Sequence, residues 1–261
     1  MRVTVLGCGG SAGVPTIGNH WGACDPAEPR NRRRRPSVLV EQGGTAILID
    51  TTPDLREQLI DARVTRLDAV LYTHEHADHS HGVDDLREIN RLMQAPIPAY
   101  GRPETLKGLR ARFGYCFEPL SANAATTYYR PVLEPRIISG AEPFTVGAMV
   151  VTPFIQDHGY MATLGYRFGD FAYSTDVVRL DDTAFAALAG ITAWVVDCVR
   201  EEPHPVHSHL ANTLTWIDRV KPRRAWFTHM NNNLDYQTLA RRLPPGIAPA
   251  YDGLVIDVDA C

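Results

Sequence analysis

The chain has 261 residues, of which 44% are hydrophobic and 21% are charged, and its formal net charge is −4 at pH 7. This length and composition predict a single globular domain over residues 1–261 with a sizeable core. The net negative charge argues against a surface that binds nucleic acid in general and against one that binds anionic membranes. We therefore expect a small partner, with neither nucleic acid nor membrane.

The five cysteines are an odd number, are widely scattered and form no CxxC pair; they are Cys8, Cys24, Cys116, Cys198 and Cys261. Neither a disulfide framework nor a thiolate zinc site is indicated, and a reducing cytoplasm is the expected location. No apolar run approaches the roughly 18 residues that a membrane helix needs. The sequence leaves a homodimer open and does not determine the oligomeric state.

The first half of the chain alternates apolar runs of strand length with segments of helical periodicity. Predicted strands cover residues 2–6, 37–41, 45–49, 69–72 and 97–100, and predicted helices cover 54–62, 82–93 and 103–113. Residues 50–53 are predicted to cap the first helix. The long loop over 14–36 is rich in Pro, Gly and Asn, and loops of that length usually shape a binding site.

The second half has the same alternation. Residues 114–130 are ambiguous, because their aromatic residues could belong to the core or to a substrate-facing wall, and the core is favoured. Predicted strands cover 132–138, 149–155, 163–168, 171–174, 192–197, 224–228 and 254–258, and predicted helices cover 181–189, 210–219 and 235–242. Two β-rich halves with helices outside them predict the α/β (α+β) class and a four-layer αββα sandwich.

One stretch, Thr73-His74-Glu75-His76-Ala77-Asp78-His79, follows directly on the apolar strand 69–72. Side chains two apart on an extended backbone point the same way, so His74 and His76 can bind one cation together. If the chain turns after His76, then Asp78 and His79 face a neighbouring position, and the spacing suits a dinuclear centre. A loose or solvated His-rich tract is the alternative interpretation.

Three further ligand-type residues, His158, Asp176 and His229, follow predicted strands. Strand ends on one edge of a sheet are where a rigid scaffold presents chemistry, so these residues can converge on the 74–79 loop. The predicted ligands are His74, His76 and His158 for one metal, and Asp78, His79 and His229 for the second, with Asp176 as an oxygen bridge. Such nitrogen and oxygen ligands accommodate two ions of zinc, manganese or iron.

The THEHADH motif together with these three residues resembles the metallo-β-lactamase superfamily, whose fold is the αββα sandwich. An aspartate at position 176 resembles the dinuclear hydrolases of that superfamily, which include phosphodiesterases and glyoxalase II. More closely, several blocks resemble the PhnP-like phosphoribosyl cyclic phosphodiesterases: GCGGSAGVP, LIDTTPDLR, AYSTD, VVDC and FTHM. The resemblance implies hydrolysis of a small or cyclic phosphodiester by a hydroxide that bridges two divalent ions.

The resemblance also implies an assisting histidine three residues before a leucine that opens a helix. His207, followed by Leu210, falls at that position, with His209 and His204 as competitors. We expect His207 to protonate or stabilise the leaving oxygen. Asp78 is the second expected catalytic residue, as an acceptor of a proton from the nucleophile.

The sequence departs from the PhnP-like pattern in its structural zinc site. That family uses a CxCxxC cluster and a later histidine, whereas this chain has Asn19, Trp21, Cys24 and Asn232 at those places. One thiol does not make a closed zinc site, so no structural metal is predicted, and packing of Trp21 is expected to hold the loop instead.

Several charged residues have weaker predicted roles. Arg87 and one arginine of the run Arg32 to Arg35 are candidates for phosphate contact, although such residues are more often surface ion pairs. Asp197 ends a strand and could orient a catalytic histidine. Glu75 and His81 are expected to lie outside the ligand set.

Three alternative functions stay open. A thioester or lactone hydrolase would keep the same metal centre and need no basic rim. A tRNA-processing nuclease should carry a protruding Gly/Pro-rich arm and a basic surface, which this acidic chain does not suggest. A non-catalytic metal-binding module would keep the fold without turnover.

Overall fold

A computed structural model describes residues 1–120 and 128–258, and within these residues the strands form two seven-stranded sheets. The first sheet has the order β14-β1-β2-β3-β4-β5-β6. Its strands are β1 Arg2–Gly7, β2 Ser37–Gln42, β3 Thr45–Ile49, β4 Ala69–Leu71, β5 Ile97–Gly101, β6 Leu133–Ile137 and β14 Val255–Asp257. Pairing is antiparallel from β14 to β3 and parallel from β3 to β6.

The second sheet has the order β13-β12-β11-β10-β9-β8-β7. Its strands are β7 Phe144–Val146, β8 Met149–Asp157, β9 Ala162–Phe168, β10 Phe171–Ser174, β11 Ala193–Asp197, β12 Arg224–Thr228 and β13 Ile247–Pro249. Pairing is antiparallel from β7 to β10 and parallel from β10 to β13. Strands β8, β10, β11 and β12 therefore run in the same direction and end on one edge of the sheet.

Helices cover the outer faces of both sheets. They are α1 Leu55–Asp61, α2 Ala77–Ser80, α3 Leu86–Met93, α4 Pro103–Phe113, α5 Asp182–Leu188, α6 Leu210–Val220 and α7 Tyr236–Arg242. Among the described residues no helix is both long enough and apolar enough to cross a bilayer.

Alternation along the strands separates the core into layers. Ile47 and Ile49 of β3 pack with side chains of the opposite sheet such as Tyr166, whereas Leu48 faces outward and packs with helix residues such as Leu55. A strand with a period of two buries both of its faces only when another layer covers each of them. This arrangement confirms the predicted four-layer αββα sandwich.

Most predicted elements are present, with local differences. The predicted helix over 82–93 is divided, because a 3-10 turn at Val83–Asp85 precedes α3. Helix α2 and the three-residue strands β7 and β13 were not predicted, since such short elements carry too little periodicity. In the ambiguous segment 114–130, Cys116 is buried and Tyr115 is exposed, while 121–127 lie outside the described residues.

The long loop over 14–36 is held by a buried arginine. Arg33 is 2% exposed, and its guanidinium donates to the carbonyl oxygens of Leu234 at 2.7 Å and Asn231 at 3.2 Å. Trp21 is only half-buried, and its indole nitrogen donates to Asn19 within the same loop. The expectation that Trp21 holds the loop is not met, because the hydrogen bonds that cross from the loop to the 231–234 segment come from the Arg33 guanidinium, the Ala23 amide and the Cys24 thiol.

Replacement of Arg33 by methionine is expected to lower the free energy of unfolding by about 3 kcal/mol. The substitution removes charge-assisted hydrogen bonds and leaves two carbonyls without their donor. Urea unfolding measures the change, and the exposed neighbour Arg32→Met is the matched control, for which we expect a change within about 0.5 kcal/mol. Equal effects of the two substitutions would contradict this structural role.

Candidate metal centre

The chain turns after His76, and this turn divides the histidine motif into two pairs. After β4 ends at Leu71, the chain bends at Thr73 and reaches His76, the N-cap residue of α2, which has extended backbone with φ −61° and ψ 156°. Asp78 and His79 lie in the single turn of α2 and are buried. The motif therefore faces two adjacent positions, as its spacing predicted.

The other three predicted ligands lie at the matching edge of the second sheet. His158 follows the last residue of β8, which is two residues longer than predicted, and His229 follows β12. Asp176 lies two residues beyond β10. Both Asp176 and His229 have left-handed backbone, with φ 52° and 58°, so the chain turns sharply where each side chain is presented.

The seven predicted ligands form two groups that share Asp176. One contains His74, His76, His158 and Asp176, and the other contains Asp78, His79, Asp176 and His229; within each group one ligand atom per residue lies within 4.8 Å of the others. Each carboxylate oxygen of Asp176 faces a different group. Oδ1 is 3.7 Å from Nε2 of both His74 and His158, whereas Oδ2 is 3.0 Å from Nε2 of His79 and 3.3 Å from Nε2 of His229.

Buried atoms without partners indicate that these groups fit metal ions. His74 Nε2, His79 Nε2, His229 Nε2 and Asp78 Oδ2 are buried and have no hydrogen-bond partner of acceptable geometry. Buried polar atoms are normally satisfied, and convergent unsatisfied nitrogen and oxygen atoms are what a bound cation would occupy. The seven residues would hold two divalent ions, one in each group.

In the group around Asp78, the carboxylates and the imidazoles shift one another's pKa values. Burial alone would raise the pKa of Asp78, but His79 and His229 outweigh it and lower the pKa below its ordinary range. Burial would lower the pKa of His229, yet Asp176 and Asp78 raise it to about 9. Burial would likewise lower the pKa of His79, and Asp176, Asp78 and Asp50 raise it well above its ordinary value. Without metal, both shifts favour the protonated imidazoles of His79 and His229 near pH 7.

The group around His74 has the opposite tendency. Burial lowers the pKa of His74 well below its ordinary value, and the neighbouring His79 lowers it further. Burial also lowers the pKa values of His76 and His158, against the attraction of Asp176. These three imidazoles are therefore neutral near pH 7, which is the form that binds metal.

Metal binding at pH 7 is expected to release protons, and the apparent affinity is expected to rise with pH up to about 9. The pKa of His229 is raised from about 6.5 to about 9 in the metal-free fold. Protonated His229 therefore stabilises this fold fully below pH 6.5, and the stabilisation is lost as the pH rises through 9. A metal must displace this proton. Calorimetric zinc titrations in two buffers of different ionisation enthalpy measure the release, and its absence at pH 7 would contradict the assignment.

Backbone and side-chain groups around the cluster orient the histidines. His79 Nδ1 is 2.7 Å from Asp50 Oδ2, and Asp50 also accepts hydrogen bonds from the backbone and hydroxyl of Thr73. His158 Nδ1 is 2.7 Å from the carbonyl oxygen of Val206. Each contact fixes a ring through the nitrogen that points away from the cluster.

Asp50 was not predicted as a site residue. The sequence suggested that residues 50–53 cap a helix, but α1 begins at Leu55 after Asp54, and Asp50 is fully buried with φ 64°. Its position after β3 was the signal that could have identified it. Because β3 and β4 are parallel neighbours, the residues that follow them lie at the same edge of the sheet.

We expect Asp50→Asn to weaken metal retention about 10- to 100-fold, because the amide supports the His79 ring without a negative charge. Metal content after dialysis against a graded series of chelator concentrations measures the change. Asp68→Asn is the control, since Asp68 accepts from the backbone of Ala46 and pairs with Arg66 instead of a histidine. Unchanged retention in Asp50→Asn would show that this contact does not tune the site.

His207 lies against the cluster and is supported by Asp197. It is 8% exposed, its Nδ1 is 3.1 Å from Asp197 Oδ2, and its Nε2 is 3.8 Å from Asp176 Oδ1. Its ring stacks on His229 with centroids 4.5 Å apart. By contrast, His209 is the N-cap residue of α6 and is half-buried. The structure thus brings His207 beside the predicted ligands, with Nε2 directed toward them.

The remaining predicted candidates lie outside the two groups. Glu75 lies against Gly108 of α4, and the exposed His81 contacts the ring of Phe113. Arg87 pairs with its neighbour Glu88. In the arginine run, Arg33 is buried in the loop and is therefore not the candidate for a phosphate contact. Arg34 pairs with Asp61 and Asp252 and Arg35 with Asp54, whereas Arg32 is exposed.

Comparison with known proteins identifies the family to which the chain is similar. A model described as a β-lactamase superfamily domain matches residues 45–230. A crystal structure of a new diphosphatase from the PhnP family superposes with a TM-score of 0.90 at 36% identity, covering 100% of this chain and 98% of that one. Zinc-bound PqqB from Methylobacterium extorquens superposes with a TM-score of 0.73 at 21% identity, covering 99% and 100%, which shows the shared fold.

Among curated proteins, an octanoyltransferase of Porphyromonas gingivalis is 31% identical over 262 residues, covering 99% of this chain and 52% of that protein. The chain thus spans about half the length of this relative. The anti-Pycsar protein Apyc1 of Paenibacillus harenae is 27% identical over 211 residues, covering 76% of this chain and 84% of the relative.

Proposed function

Because the chain belongs to the metallo-β-lactamase superfamily, with a PhnP-family diphosphatase among its structural neighbours, we propose that it is a dinuclear metal-dependent phosphodiesterase. Its substrate is a small or cyclic phosphodiester. The observation that carries the proposal is the position of Asp176, whose two oxygens face two separate histidine groups. One carboxylate between two ligand sets suits a pair of ions that act on one substrate group.

Two divalent ions, of zinc, manganese or iron, would act here as Lewis acids, drawing charge from phosphoryl oxygens and lowering the pKa of a water. The chain's own residues supply the proton transfers. Asp197 Oδ2 accepts from His207 Nδ1–H and holds the ring with Nε2 toward the cluster. In the imidazolium form, Nε2–H is the proton that the leaving oxygen takes. The lowered pKa of Asp78 makes its carboxylate a weak base, so its expected role as proton acceptor narrows to orientation. Its Oδ2, 3.4 Å from Nε2 of both His79 and His229, would accept a hydrogen bond from the attacking water.

The 36% identical diphosphatase favours a second candidate substrate, a diphosphate diester. Each phosphorus of such a molecule carries two bridging oxygens, as in a simple phosphodiester, so the same acid and the same ligands serve both reactions. The two candidates differ in the leaving group, which is a phosphate in one reaction and an alkoxide or phenolate in the other.

Other relatives favour different reactions less strongly. Ribonuclease Z sequences match, and that of Bradyrhizobium sp. covers only 30% of this chain. The human short-form tRNase Z is 18% identical, which shows the fold alone. The net charge of −4 also disfavours an extended RNA partner. A thioester or lactone hydrolase and a non-catalytic metal-binding module are outcomes of the test below.

A substrate panel tests the proposal. The metal-loaded protein is assayed with bis(4-nitrophenyl) phosphate, a 2′,3′-cyclic nucleotide, a ribosyl cyclic phosphate, a dinucleoside diphosphate, a lactone and a thioester. The Asp176→Ala variant, assayed in the same way, is the negative control. We expect turnover of at least one phosphorus substrate in the parent and none in the variant. Thioester or lactone cleavage without phosphodiester cleavage would contradict the proposal, and no turnover at all would favour the binding module.

A further inference from the structure

Tyr160 is an exposed aromatic residue that contacts the candidate metal centre directly. Its side chain is 72% exposed, yet its hydroxyl lies 3.0 Å from His76 Nε2. Its ring centroid is 6.0 Å from that of His76 and 5.8 Å from that of His158. A tyrosine so exposed normally samples several rotamers, whereas this one is fixed at its tip against a predicted ligand.

The backbone around Tyr160 supports this placement. Gly159 has φ 83°, and a Cβ there would meet the side chain of Val206 at 2.7 Å, so a larger residue is excluded on both conformational and steric grounds. The amide of Tyr160 donates to the carbonyl oxygen of His158 at 3.1 Å. The turn therefore directs Tyr160 beside the histidines.

The hydrogen bond to His76 has a consequence for that ring. With Nε2 occupied by Tyr160, Nδ1 is the nitrogen of His76 that remains for a metal. Outer hydrogen bonds of this kind fix the orientation of a ligating imidazole. The Tyr160 hydroxyl is thus placed to position His76.

A cavity of about 480 Å³ opens beside the same tyrosine. Its lining includes the half-exposed Met161 and the exposed Ile155, together with the Asp157 and Arg179 ion pair. Its volume falls within the range of about 300–1,000 Å³ that is typical of small-ligand sites. The predicted ligands do not line this cavity, and Tyr160 is the lining residue whose hydroxyl contacts His76. A substrate with its phosphorus at the metals would reach the cavity across the Tyr160 ring.

We propose that this cavity is the subsite for a flat aromatic substituent of the phosphodiester, such as a nucleobase, which stacks on the Tyr160 ring. The inference rests on the proposed function and adds the substrate class. An aromatic ring held in place is a good stacking platform, and the apolar Met161 and Ile155 form a wall beside it. The polar pair at the rim leaves room for hydrogen bonds from the edge of a base.

The test compares two phosphodiesters with the same leaving group, 4-nitrophenyl phenyl phosphate and methyl 4-nitrophenyl phosphate. The parent is expected to prefer the phenyl diester in kcat/KM. Tyr160→Ala is expected to reduce this preference roughly 10-fold or more, mainly through KM of the phenyl diester. Tyr160→Phe keeps the ring and is expected to keep the preference, while kcat falls for both diesters because His76 loses its partner.

Two further variants separate binding from general damage. Ile155→Arg adds a charge to the wall of the cavity, and it is expected to reduce the phenyl preference in kcat/KM. Tyr129→Ala removes another exposed tyrosine, 54% exposed beside Arg130, and should not change this preference. Circular dichroism melting shows that each variant folds.

Turnover of both diesters with an unchanged preference in Tyr160→Ala and Ile155→Arg would overturn the subsite while leaving the phosphodiesterase in place. A parent that hydrolyses neither diester would instead overturn the proposed function, and the subsite with it. Loss of the preference in Tyr160→Phe would show that the hydroxyl, and not the ring surface, selects the substrate, which also contradicts stacking.

Discussion

Asp176→Asn is expected to lower kcat for phosphodiester hydrolysis by roughly three orders of magnitude or more. The substitution preserves shape but removes the charge and one acceptor oxygen from the residue that both ligand groups share. The Lewis-acid contribution of bound ions amounts to several kcal/mol of barrier, and each tenfold change in rate corresponds to about 1.4 kcal/mol. Steady-state kinetics and metal analysis of the same sample measure the effect.

The matched control is Asp182→Asn, because the Asp182 side chain is 92% exposed and pairs with Arg219 on the surface. We expect this variant to keep the parent rate and metal content. A modest loss of activity in Asp176→Asn with two ions retained would mean that Asp176 does not join the two groups. The sharing of Asp176 would then be a geometric coincidence.

His207→Ala is expected to lower kcat roughly 100-fold or more on a 2′,3′-cyclic nucleotide and much less on bis(4-nitrophenyl) phosphate. The cyclic substrate expels an alkoxide, which needs a proton as the bond to phosphorus breaks, whereas 4-nitrophenolate leaves readily without one. The contrast between substrates isolates proton donation from any general damage to the site. Parallel kinetics on both substrates measure it.

His209→Ala is the control for this experiment, since His209 caps α6 and lies outside both ligand groups. It should retain most of the activity on either substrate. Asp197→Asn should reproduce part of the His207→Ala pattern, because the amide holds Nδ1 without a negative charge. If His209→Ala loses the cyclic-nucleotide activity and His207→Ala keeps it, the assignment of the assisting histidine is wrong.

The two groups of ligands could be predicted because each of their members has a local signal. His74 and His76 lie two positions apart after an apolar strand, and His158, Asp176 and His229 each follow a strand. Strand ends that share one edge of a sheet come together in space, so the position in the sequence was sufficient to predict convergence. The split of the motif after His76 also followed from the change from extended to helical backbone.

The supporting residues could not be predicted in the same way. Asp50 reaches His79 across 29 positions, and Arg33 reaches Leu234 across 201 positions. Neither residue differs locally from a helix cap or from a charged surface run, so only the sheet register and the loop path reveal these contacts. Tyr160 likewise resembles any exposed loop tyrosine until its hydroxyl is placed beside His76.

The most direct test of the central claim is a metal titration of the metal-depleted protein that follows phosphodiester turnover. Zinc or manganese is added in known equivalents, and activity is measured on the best phosphorus substrate of the panel. The two ligand groups that share Asp176 predict that activity reaches its plateau at two ions per chain and that Asp176→Asn shows no such rise. Full turnover after complete chelation, or a plateau at one ion per chain, would contradict the dinuclear centre.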